Sequence, residues 1–582
     1  MRIGLLTEGG YPFVAGESGL WCDRLVRGLA PHEFDLYALS RDARQERAGR
    51  LTLPPNVKSV RTAPLWAAPD DTRPGGRTGL GRWGTGARGY GRRERRLFED
   101  AFHWLAEGIC AEPSRTDTAD RGGDRGGARG TDPGADSFAA GLYGLAELAR
   151  AHGGLGTALR SESTVRILEA ACRAPGARRS VAGVTVPGQL AFTEQLERAL
   201  RPLSLGWYDE PEGPETAETP GGLALVDLCH AASAGAAALP GLLAKRFFGT
   251  PLLVTEYGVQ LRAHYLAATG AALATPVRAL LAAFHGRLAG EVYRQAALLT
   301  PGNAHARRWQ EKCGADRARL RTVHPGLDAD RFTEVGEDEE SGDPATLVWI
   351  GRAEPAKDLI ALLHAFAEVR RRQPDARLRI IAVPVRDPGA AAYLAHCRGL
   401  AEQLFPDEAS GAHAIGENPV SFEELGGPEA PTLEDAYAAS AVVVLSSVVE
   451  GFPTGLVEAM FCARATVSTD VGAVVEVIGG TGLVVPPRNP KALADACLAL
   501  LRDPERRHRL GAAARARALE LFTVEQNLAA FRGIYLELLS HSPVRRRTTS
   551  GVPFAHPAEA HVPGNWAALP VNAAAGAGES DV

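Results

Sequence analysis

The chain has 582 residues, of which 45% are apolar, and a formal net charge of −5. That length exceeds what one hydrophobic core supports and predicts roughly two to four domains. The weak negative charge excludes a global basic field for nucleic acid or anionic membrane. The eight cysteines are scattered, with no CxxC or Cys/His cluster, which argues against a disulfide framework and against structural zinc.

The start of the chain bears on where the protein works. The N-terminus runs directly into a predicted strand, residues 2–7, without the apolar region of a signal peptide. No uninterrupted apolar run is long enough to span a bilayer. We therefore expect a cytoplasmic protein, with peripheral association at the inner face of a membrane left open.

Residues 1–332 are predicted to form a first α/β domain. A short strand, a glycine loop and a helix over residues 20–29 begin it in the manner of a Rossmann-like unit, although the glycine spacing is not GxGxxG. Further strands are expected at 223–228, 251–256, 297–300 and 320–323. His230 then lies just after a strand, at the edge of the sheet where open parallel sheets bind ligands.

Residues 66–135 differ in character from the rest of this domain. Two of their stretches are charged and glycine-rich and cannot bury enough apolar surface to become ordered. We interpret the segment as a low-complexity insertion around a helix over residues 92–110. Contact of its arginines with nucleic acid is disfavoured, because aromatic residues are not interleaved with them.

The second half of the chain also alternates strands and helices. Acidic, polar residues 333–345 are predicted to be a linker, and residues 346–522 a second doubly wound domain. Its strands are expected at 346–350, 378–383, 418–422, 441–445, 465–468 and 482–485. An amphipathic helix is predicted at 523–540, and the Pro-, Ala- and Gly-rich tail 541–582 is predicted to be disordered. Two such α/β domains predict a ligand cleft between their strand ends.

A glutamate pair brackets the helix start that follows strand 441–445. The run Glu450-Gly-Phe-Pro-Thr-Gly-Leu-Val-Glu458 places a proline at the first helical turn and glycines where a ligand can approach closely. Unpaired amides at a helix start favour an anion such as phosphate, and carboxylates accept hydrogen bonds from sugar hydroxyls. The motif therefore indicates a sugar-nucleotide site; the alternative is a corner with two solvated glutamates.

A second group of charges follows the first strand of the same domain. The run Gly351-Arg352-Ala-Glu-Pro-Ala-Lys357 places Arg352 on the loop and Lys357 in the first helical turn. Two cations near a helix N-terminus can stabilise a departing nucleotide diphosphate. A surface arginine and lysine on any such loop is the alternative. Their position at the same sheet edge as Glu450 and Glu458 favours the functional interpretation.

These motifs resemble family 4 of the retaining nucleotide-sugar glycosyltransferases, which have the GT-B fold of two facing Rossmann-like domains. The resemblance extends to Val323-His-Pro-Gly-Leu-Asp328 with Arg331-Phe332, to Thr469-Asp-Val-Gly472 and to Gly482-Leu-Val-Val-Pro-Pro487. The first half is similar to the PelF-type subfamily that builds exopolysaccharide. That similarity lies in Glu8-Gly-Gly-Tyr-Pro-Phe-Val14, Gly16, Trp21, His230, Thr255-Glu-Tyr-Gly258 and Gly302-Asn303.

The resemblance implies roles for individual residues. Arg352 and Lys357 would hold the donor diphosphate, Glu458 the ribose hydroxyls, and Glu450 the donor sugar. His230 would sit over that sugar from the first domain, although a lone histidine after a strand is more often structural. The implied catalytic residues are Arg352, Lys357, Glu450 and His230. The implied donor-binding residues are Gly351, Arg352, Lys357, Glu450, Gly451, Phe452, Pro453, Thr454, Gly455 and Glu458.

The resemblance also implies an acceptor and phosphate loop at Gly16, Glu17 and Ser18. The family usually has a second glycine where Glu17 stands, and a carboxylate there would repel phosphate. Tyr257 stands where the subfamily often has histidine, which bears on acceptor contacts. The fold implies that helix 523–540 crosses back onto the first domain.

The reaction implied is retaining transfer of a hexosyl group from a nucleotide diphosphate sugar to the hydroxyl of a carbohydrate or small-molecule acceptor. UDP-glucose is the donor that the subfamily suggests, and a polysaccharide-synthesis complex is a candidate partner. The donor is a substrate, so we expect no cofactor. Asp328-Ala-Asp330 could be taken for a metal-binding DxD motif, but its position in a hinge turn favours a turn, and we expect no essential metal.

Two other functions are alternatives for this sequence. One is a catalytically inactive GT-B-like module that binds a sugar nucleotide, which intact Arg352, Lys357, Glu450 and Glu458 argue against. The other is a dinucleotide-dependent oxidoreductase. That class calls for GxGxxG after a first strand and an acidic residue about 20 residues later, and neither domain has this pattern.

Overall fold

A computed structural model describes residues 1–13, 17–65, 90–112, 132–208, 222–262, 264–265, 273–337, 343–385, 387–406 and 418–542. The tail from residue 543 onward lies outside the described residues, as does most of the predicted insertion 66–135. No helix in the described ranges is both long enough and apolar enough to cross a membrane.

Two six-stranded parallel sheets form the framework, one in each half of the chain. The strands of the first sheet are β1 Arg2–Glu8, β2 Glu33–Ser40, β3 Val57–Pro64, β4 Leu228–Ala231, β5 Leu252–Glu256 and β6 Leu298–Pro301. Those of the second are β7 Thr346–Gly351, β8 Arg377–Ala382, β9 Val420–Glu424, β10 Val442–Leu445, β11 Ala465–Thr469 and β12 Leu483–Val485. The spatial orders are β3-β2-β1-β4-β5-β6 and β12-β11-β10-β7-β8-β9.

Helices cover both faces of each sheet, which buries the apolar parallel strands. In the first half they are α1 Glu17–Gly28, α2 Ala43–Arg47, α3 Arg92–Cys110, α4 Pro133–His152, α5 Leu155–Leu159, α6 Glu162–Arg173, α7 Val186–Leu200, α8 Leu239–Phe248, α9 Thr275–Gln295 and α10 Ala304–Lys312. In the second half they are α11 Thr333–Glu337, α12 Leu359–Arg372, α13 Pro388–Leu404, α14 Leu433–Ala438, α15 Thr454–Phe461, α16 Val474–Ile478, α17 Pro490–Leu501, α18 Pro504–Leu521 and α19 Val524–His541.

Successive residues of β1 point to opposite faces of the first sheet, as the strand period requires. Leu6 joins the larger core, in which α3 and α4 pack beside the sheet, while Ile3 and Leu5 face α1 and α19. Helix α3 is thus part of this core and has the predicted bounds.

The last helix joins the two halves. Helix α19 follows the second domain in sequence but buries Phe531, Ile534 and Tyr535 against the face of the first sheet. Trp21 of α1 donates its indole N–H to Asn527 Oδ1 at 3.3 Å. The crossing-back arrangement expected for residues 523–540 is therefore the one the chain adopts.

The structure corrects several predicted elements. The strand expected at 223–228 begins at Leu228, because Asp227 exchanges hydrogen bonds with the backbone of Arg2 and pairing with β1 starts only there. Residues 320–323 contribute an isolated bridge at Leu320 and no strand. The predicted linker 333–345 begins with a short helix, α11.

Candidate active site

Two loops at the carboxyl edge of the second sheet are bonded to each other. Strands β7 and β10 are parallel neighbours, so the loops that follow them emerge side by side. The amide of Val448 donates to Ala356 O at 2.8 Å, and Ser446 Oγ donates to Lys357 O at 2.7 Å. The structure thereby brings the arginine–lysine loop and the glutamate loop together at one place, as predicted.

A charged pair lies at the junction of these loops. Lys357 Nζ donates a short hydrogen bond to Glu450 Oε1, and Ser447 Oγ donates to the same oxygen at 2.7 Å. The two charged side chains are 21% and 10% exposed, so both are held yet reachable from solvent. Among the described residues, Glu450 Oε2 accepts no hydrogen bond, which leaves it able to accept one from a ligand hydroxyl.

Arg352 contributes a second cation beside this pair. It follows Gly351 at the end of β7 and is exposed. Within the described part of the chain it forms no ion pair. An exposed guanidinium with five N–H donors is suited to phosphate oxygens. Lys357 lies in a 3-10 turn over Pro355–Lys357, one residue before the N-cap of α12, rather than in the helix itself.

The N-terminus of α15 presents fewer outward donors than the sequence predicts. The helix begins at Thr454, with Pro453 as its N-cap residue. The amides of Leu456 and Val457 both bond Pro453 O, at 3.1 and 3.3 Å. In the described structure, the Gly455 amide is the one in this turn that has no acceptor.

A third loop supports the glutamate loop from behind. Gly472 follows β11 and has a φ of +59°; a Cβ on it would lie 2.5 Å from Glu450 O. The amide of Ala473 donates to Gly451 O at 3.1 Å, and Thr469 Oγ1 donates to Ser447 O at 2.6 Å. A side chain at position 472 would push the Glu450 backbone out of place. The other side of Gly451 is open, since a Cβ there meets no described atom within 4 Å.

Glu458 lies within α15, whereas Glu450 lies in the loop before that helix. Its Oε2 is 3.0 Å from the hydroxyl of Tyr437, which is also 3.0 Å from Gly455 O. Arg331, at the end of the first domain, pairs with Glu434 at 2.7 Å and lies close enough to Glu458 to raise the pKa of the guanidinium further. The carboxylate thus lies beside a cation and a phenol.

Phe452 faces the junction of the two halves. Its ring centroid is 6.3 Å from that of His324 and 5.8 Å from that of Phe522. Beside it, Glu476 at the start of α16 accepts a hydrogen bond from the amide of Ala304 at 2.6 Å. Ala304 follows β6 and Glu476 follows β11, so the carboxyl edges of the two sheets meet at this contact.

The structure does not bring His230 to this group. His230 lies inside β4 and is fully buried. Its Nδ1 is 2.8 Å from the hydroxyl of Tyr535, and its Nε2 is 2.7 Å from Thr255 Oγ1. Burial lowers the pKa of the imidazole to about 3. A role for His230 at the donor sugar remains a prediction, and these contacts favour the structural alternative.

His230 lies within a chain of buried hydroxyl groups. Thr255 Oγ1 is 2.6 Å from Thr300 Oγ1, and Thr300 Oγ1 is also 3.3 Å from Val254 O. On the other side of the ring, burial raises the pKa of the Tyr535 hydroxyl. Each side chain in this hydrogen-bonded series thus has a partner within the protein, without a ligand.

The predicted acceptor loop is only partly described. Gly16 lies outside the described residues, and Glu17 and Ser18 begin helix α1. Tyr257, the other departure from the family pattern, accepts a hydrogen bond from Asn527 Nδ2 at 2.8 Å. It therefore fastens α19 to the first domain. The role of residues 16–18 stays a prediction.

Sequence reasoning missed several residues that build the site. Ser447, Tyr437, Glu476 and Asn527 carry no motif of their own. The polar pair Ser446-Ser447 directly after an apolar strand was the one available signal. In the described ranges, no group of three or more His, Cys, Asp or Glu side chains could hold a metal ion. Independence from metal remains a prediction.

Comparisons with known proteins match both halves of the chain. Residues 344–503 match the family model "Glycosyl transferases group 1". Residues 1–109 and 220–318 match "Domain of unknown function (DUF3492)". Curated relatives include D-inositol 3-phosphate glycosyltransferases of Kribbella flavida, 30% identical over 38% of this chain and 52% of that protein, and of Kineococcus radiotolerans, 31% identical over 40% and 56%. The chain thus spans about half the length of the curated relatives it matches.

Solved structures resemble nearly the whole chain. Sucrose-phosphate synthase from Thermosynechococcus elongatus has a TM-score of 0.52 at 16% identity, over 93% of this chain and 100% of that one. HepE from Anabaena, solved in complex with UDP, has a TM-score of 0.50 at 13% identity, over 92% and 100%. At 16% and 13% sequence identity, the similarity to these structures shows the fold of this chain. Residues 344–503 are therefore a glycosyl transferases group 1 domain, and the chain has the two-domain GT-B architecture.

Proposed function

We propose that the protein is a retaining glycosyltransferase that moves a hexosyl group from a nucleotide diphosphate sugar to an acceptor hydroxyl. The observation that carries this proposal is the Lys357–Glu450 pair, with exposed Arg352, at the carboxyl edge of the group 1 domain. A cation for phosphate and a carboxylate for sugar hydroxyls are thus held together at the edge where parallel sheets bind ligands. The domain match and the activity named for the curated relatives support it.

The proposed chemistry divides between the charges. Lys357 and Arg352 stabilise the negative charge that grows on the diphosphate as the bond from the sugar C1 to its oxygen breaks. A new bond forms from C1 to the acceptor oxygen on the same face of the sugar. The acceptor proton passes to the departing phosphate oxygen, so no protein nucleophile takes part. Glu450 aims the ammonium of Lys357 and offers Oε2 to a hydroxyl of the sugar.

The donor we favour is UDP-glucose, and the acceptor is an unidentified carbohydrate or small molecule bound on the side of the first domain. UDP is bound by the structurally similar HepE. The PelF-like motifs of the first half favour a role in polysaccharide or glycoconjugate synthesis. In that setting the partners are the donor, the acceptor and other proteins of the synthesis machinery.

A panel of nucleotide sugars incubated with the purified protein tests the proposal. We expect nucleoside diphosphate release from at least one donor, and loss of roughly 99% of that release in Lys357→Ala, because one removed transition-state donor costs about a hundredfold or more. Lys491→Ala is the matched control, since Lys491 is an exposed lysine of the same domain. Binding of a donor without turnover would support the inactive binding module instead. Turnover unaffected by Lys357→Ala would contradict the proposed site.

A further inference from the structure

Tyr437 contacts two parts of α15 that face the proposed nucleotide: the first turn of the helix and the carboxylate of Glu458. It is at the end of α14 and is 1% exposed. Its ring packs against Phe332 with centroids 6.0 Å apart. Its hydroxyl is within 3.0 Å of both Gly455 O, in the first turn of α15, and Glu458 Oε2. One buried phenol therefore touches both the helix start and the carboxylate.

The phenol has one proton to donate to these two acceptors. Burial and the neighbouring Glu458 raise the pKa of Tyr437, so the hydroxyl keeps its proton. A hydrogen bond to a charged carboxylate is about twice as strong as one to a neutral carbonyl. The proton therefore favours Glu458, and the bond fixes the direction in which that carboxylate points.

The rest of Tyr437 is fixed as well. Arg464 Nε donates to Tyr437 O at 3.1 Å, and Ser440 Oγ donates to the same oxygen at 2.7 Å. The backbone of Tyr437 is thus held by Ser440, just after α14, and by Arg464, just before β11, while the ring packs against Phe332. A rigid donor beneath a half-buried carboxylate is the arrangement that positions a binding group rather than one that merely fills space.

We propose that Tyr437 is a positioning residue that holds Glu458 toward the ribose hydroxyls of the donor. It thereby sets the preference for ribonucleotides over nucleotides that lack those hydroxyls. This inference rests on the proposed function, in which Glu458 accepts from the ribose. Tyr437 itself does not touch the nucleotide.

Calorimetry with a pair of probes tests the inference. Wild-type binding to UDP, GDP and ADP is measured first, and the tightest of the three is then compared with its 2′,3′-dideoxy analogue. Tyr437→Phe keeps the ring and removes the hydroxyl. We expect it to weaken binding of the ribonucleotide roughly tenfold, the effect of one lost hydrogen bond to a charged group. Binding of the dideoxy analogue should change less than about twofold, since it has no hydroxyl for Glu458 to accept.

Further variants separate positioning from structure. Tyr90→Phe is the matched control, because Tyr90 OH donates to Gly153 O at 2.7 Å in the first half of the chain. Glu458→Gln should remove the effect of Tyr437→Phe when the two are combined. Equal weakening of both probes by Tyr437→Phe, or an unchanged loss in the Glu458→Gln background, would overturn the inference. Wild type that binds none of the three nucleotides would overturn the proposed donor class and this inference with it.

Discussion

Glu256 and Glu450 lie at the same kind of place, the carboxyl edge of a parallel sheet, one in each half. Glu256 is 1% exposed and accepts hydrogen bonds from Tyr293 at 2.7 Å and Gln310 at 2.9 Å, besides two backbone amides. Glu450 is partly exposed and pairs with Lys357 through Oε1, while its Oε2 accepts no hydrogen bond from the described residues. Only the second arrangement can take a new partner without breaking existing bonds.

The same difference separates His230 from the Arg352 and Lys357 pair. His230 lies within a satisfied chain of buried hydroxyls, and a buried polar group in such a chain contributes to stability and specificity. Arg352 is exposed and has no ion pair among the described residues. A position near a strand end thus does not by itself identify a ligand site; the accessibility of a side chain and its unused bonding capacity distinguish a candidate site residue from a structural one.

Arg352→Ala should reduce activity about as strongly as Lys357→Ala. We expect kcat/KM for the donor to fall roughly a hundredfold, since a charge-stabilising donor to the leaving group is lost. The midpoint of thermal unfolding should stay within about 2 °C of the wild type, because the side chain is exposed. Steady-state kinetics measure kcat/KM, and calorimetry measures the midpoint of thermal unfolding. If the midpoint fell together with kcat/KM, Arg352 would be a structural residue instead.

His230→Ala should have the opposite signature. Removal of the ring leaves a cavity, takes away the hydrogen-bond partner of the Tyr535 hydroxyl and removes one of the two partners of Thr255, so the free energy of unfolding should fall by roughly 3 kcal/mol. Donor binding by the folded fraction should be retained. Urea unfolding and calorimetry measure this, with the exposed His103→Ala as control. Intact stability with lost donor binding would show that His230 is a site residue after all.

The pH dependence of stability tests the same burial. The pKa of His230 falls from 6.5 in the unfolded chain to about 3 in the folded one. Between these values the unfolded state binds a proton that the native state lacks, so stability falls as pH falls. The contribution is about 1.4 kcal/mol per pH unit. Urea unfolding of His230→Gln from pH 6 to pH 4 should show a slope smaller by that amount; an equal slope would contradict neutral burial.

Glu476→Ala should have the smallest effect. The carboxylate joins the halves through the amide of Ala304, and His324 Nε2 lies 3.7 Å from its other oxygen. Partly exposed contacts of this kind are worth up to about 1 kcal/mol, so the donor KM should rise no more than about fivefold. Glu505→Ala, at an exposed glutamate of α18, is the control. A loss near that of Arg352→Ala would show that the interdomain contact belongs to the site.

Much of the secondary structure of the second domain could be predicted from the sequence. All six of its strands lie within two residues of the predicted bounds. The central strands β7 and β10 are apolar runs between turns, as expected of buried parallel strands. The same reading put Arg352, Lys357 and Glu450 at one sheet edge, which the structure confirms. The strand at 223–228 was predicted wrongly, since its true start depends on where β1 offers a partner.

What the sequence determined by itself is the pattern that repeats along the chain: apolar runs, helix starts and the charges placed after strands. Only the tertiary structure decided which polar atoms are already hydrogen-bonded within the protein. His230 meets Tyr535 across 305 positions of the chain, and Glu458 meets Tyr437 from a separate helix. Such partners are brought together by packing rather than by local periodicity, so their contacts, and the distinction between scaffold and site, appear only in the folded protein.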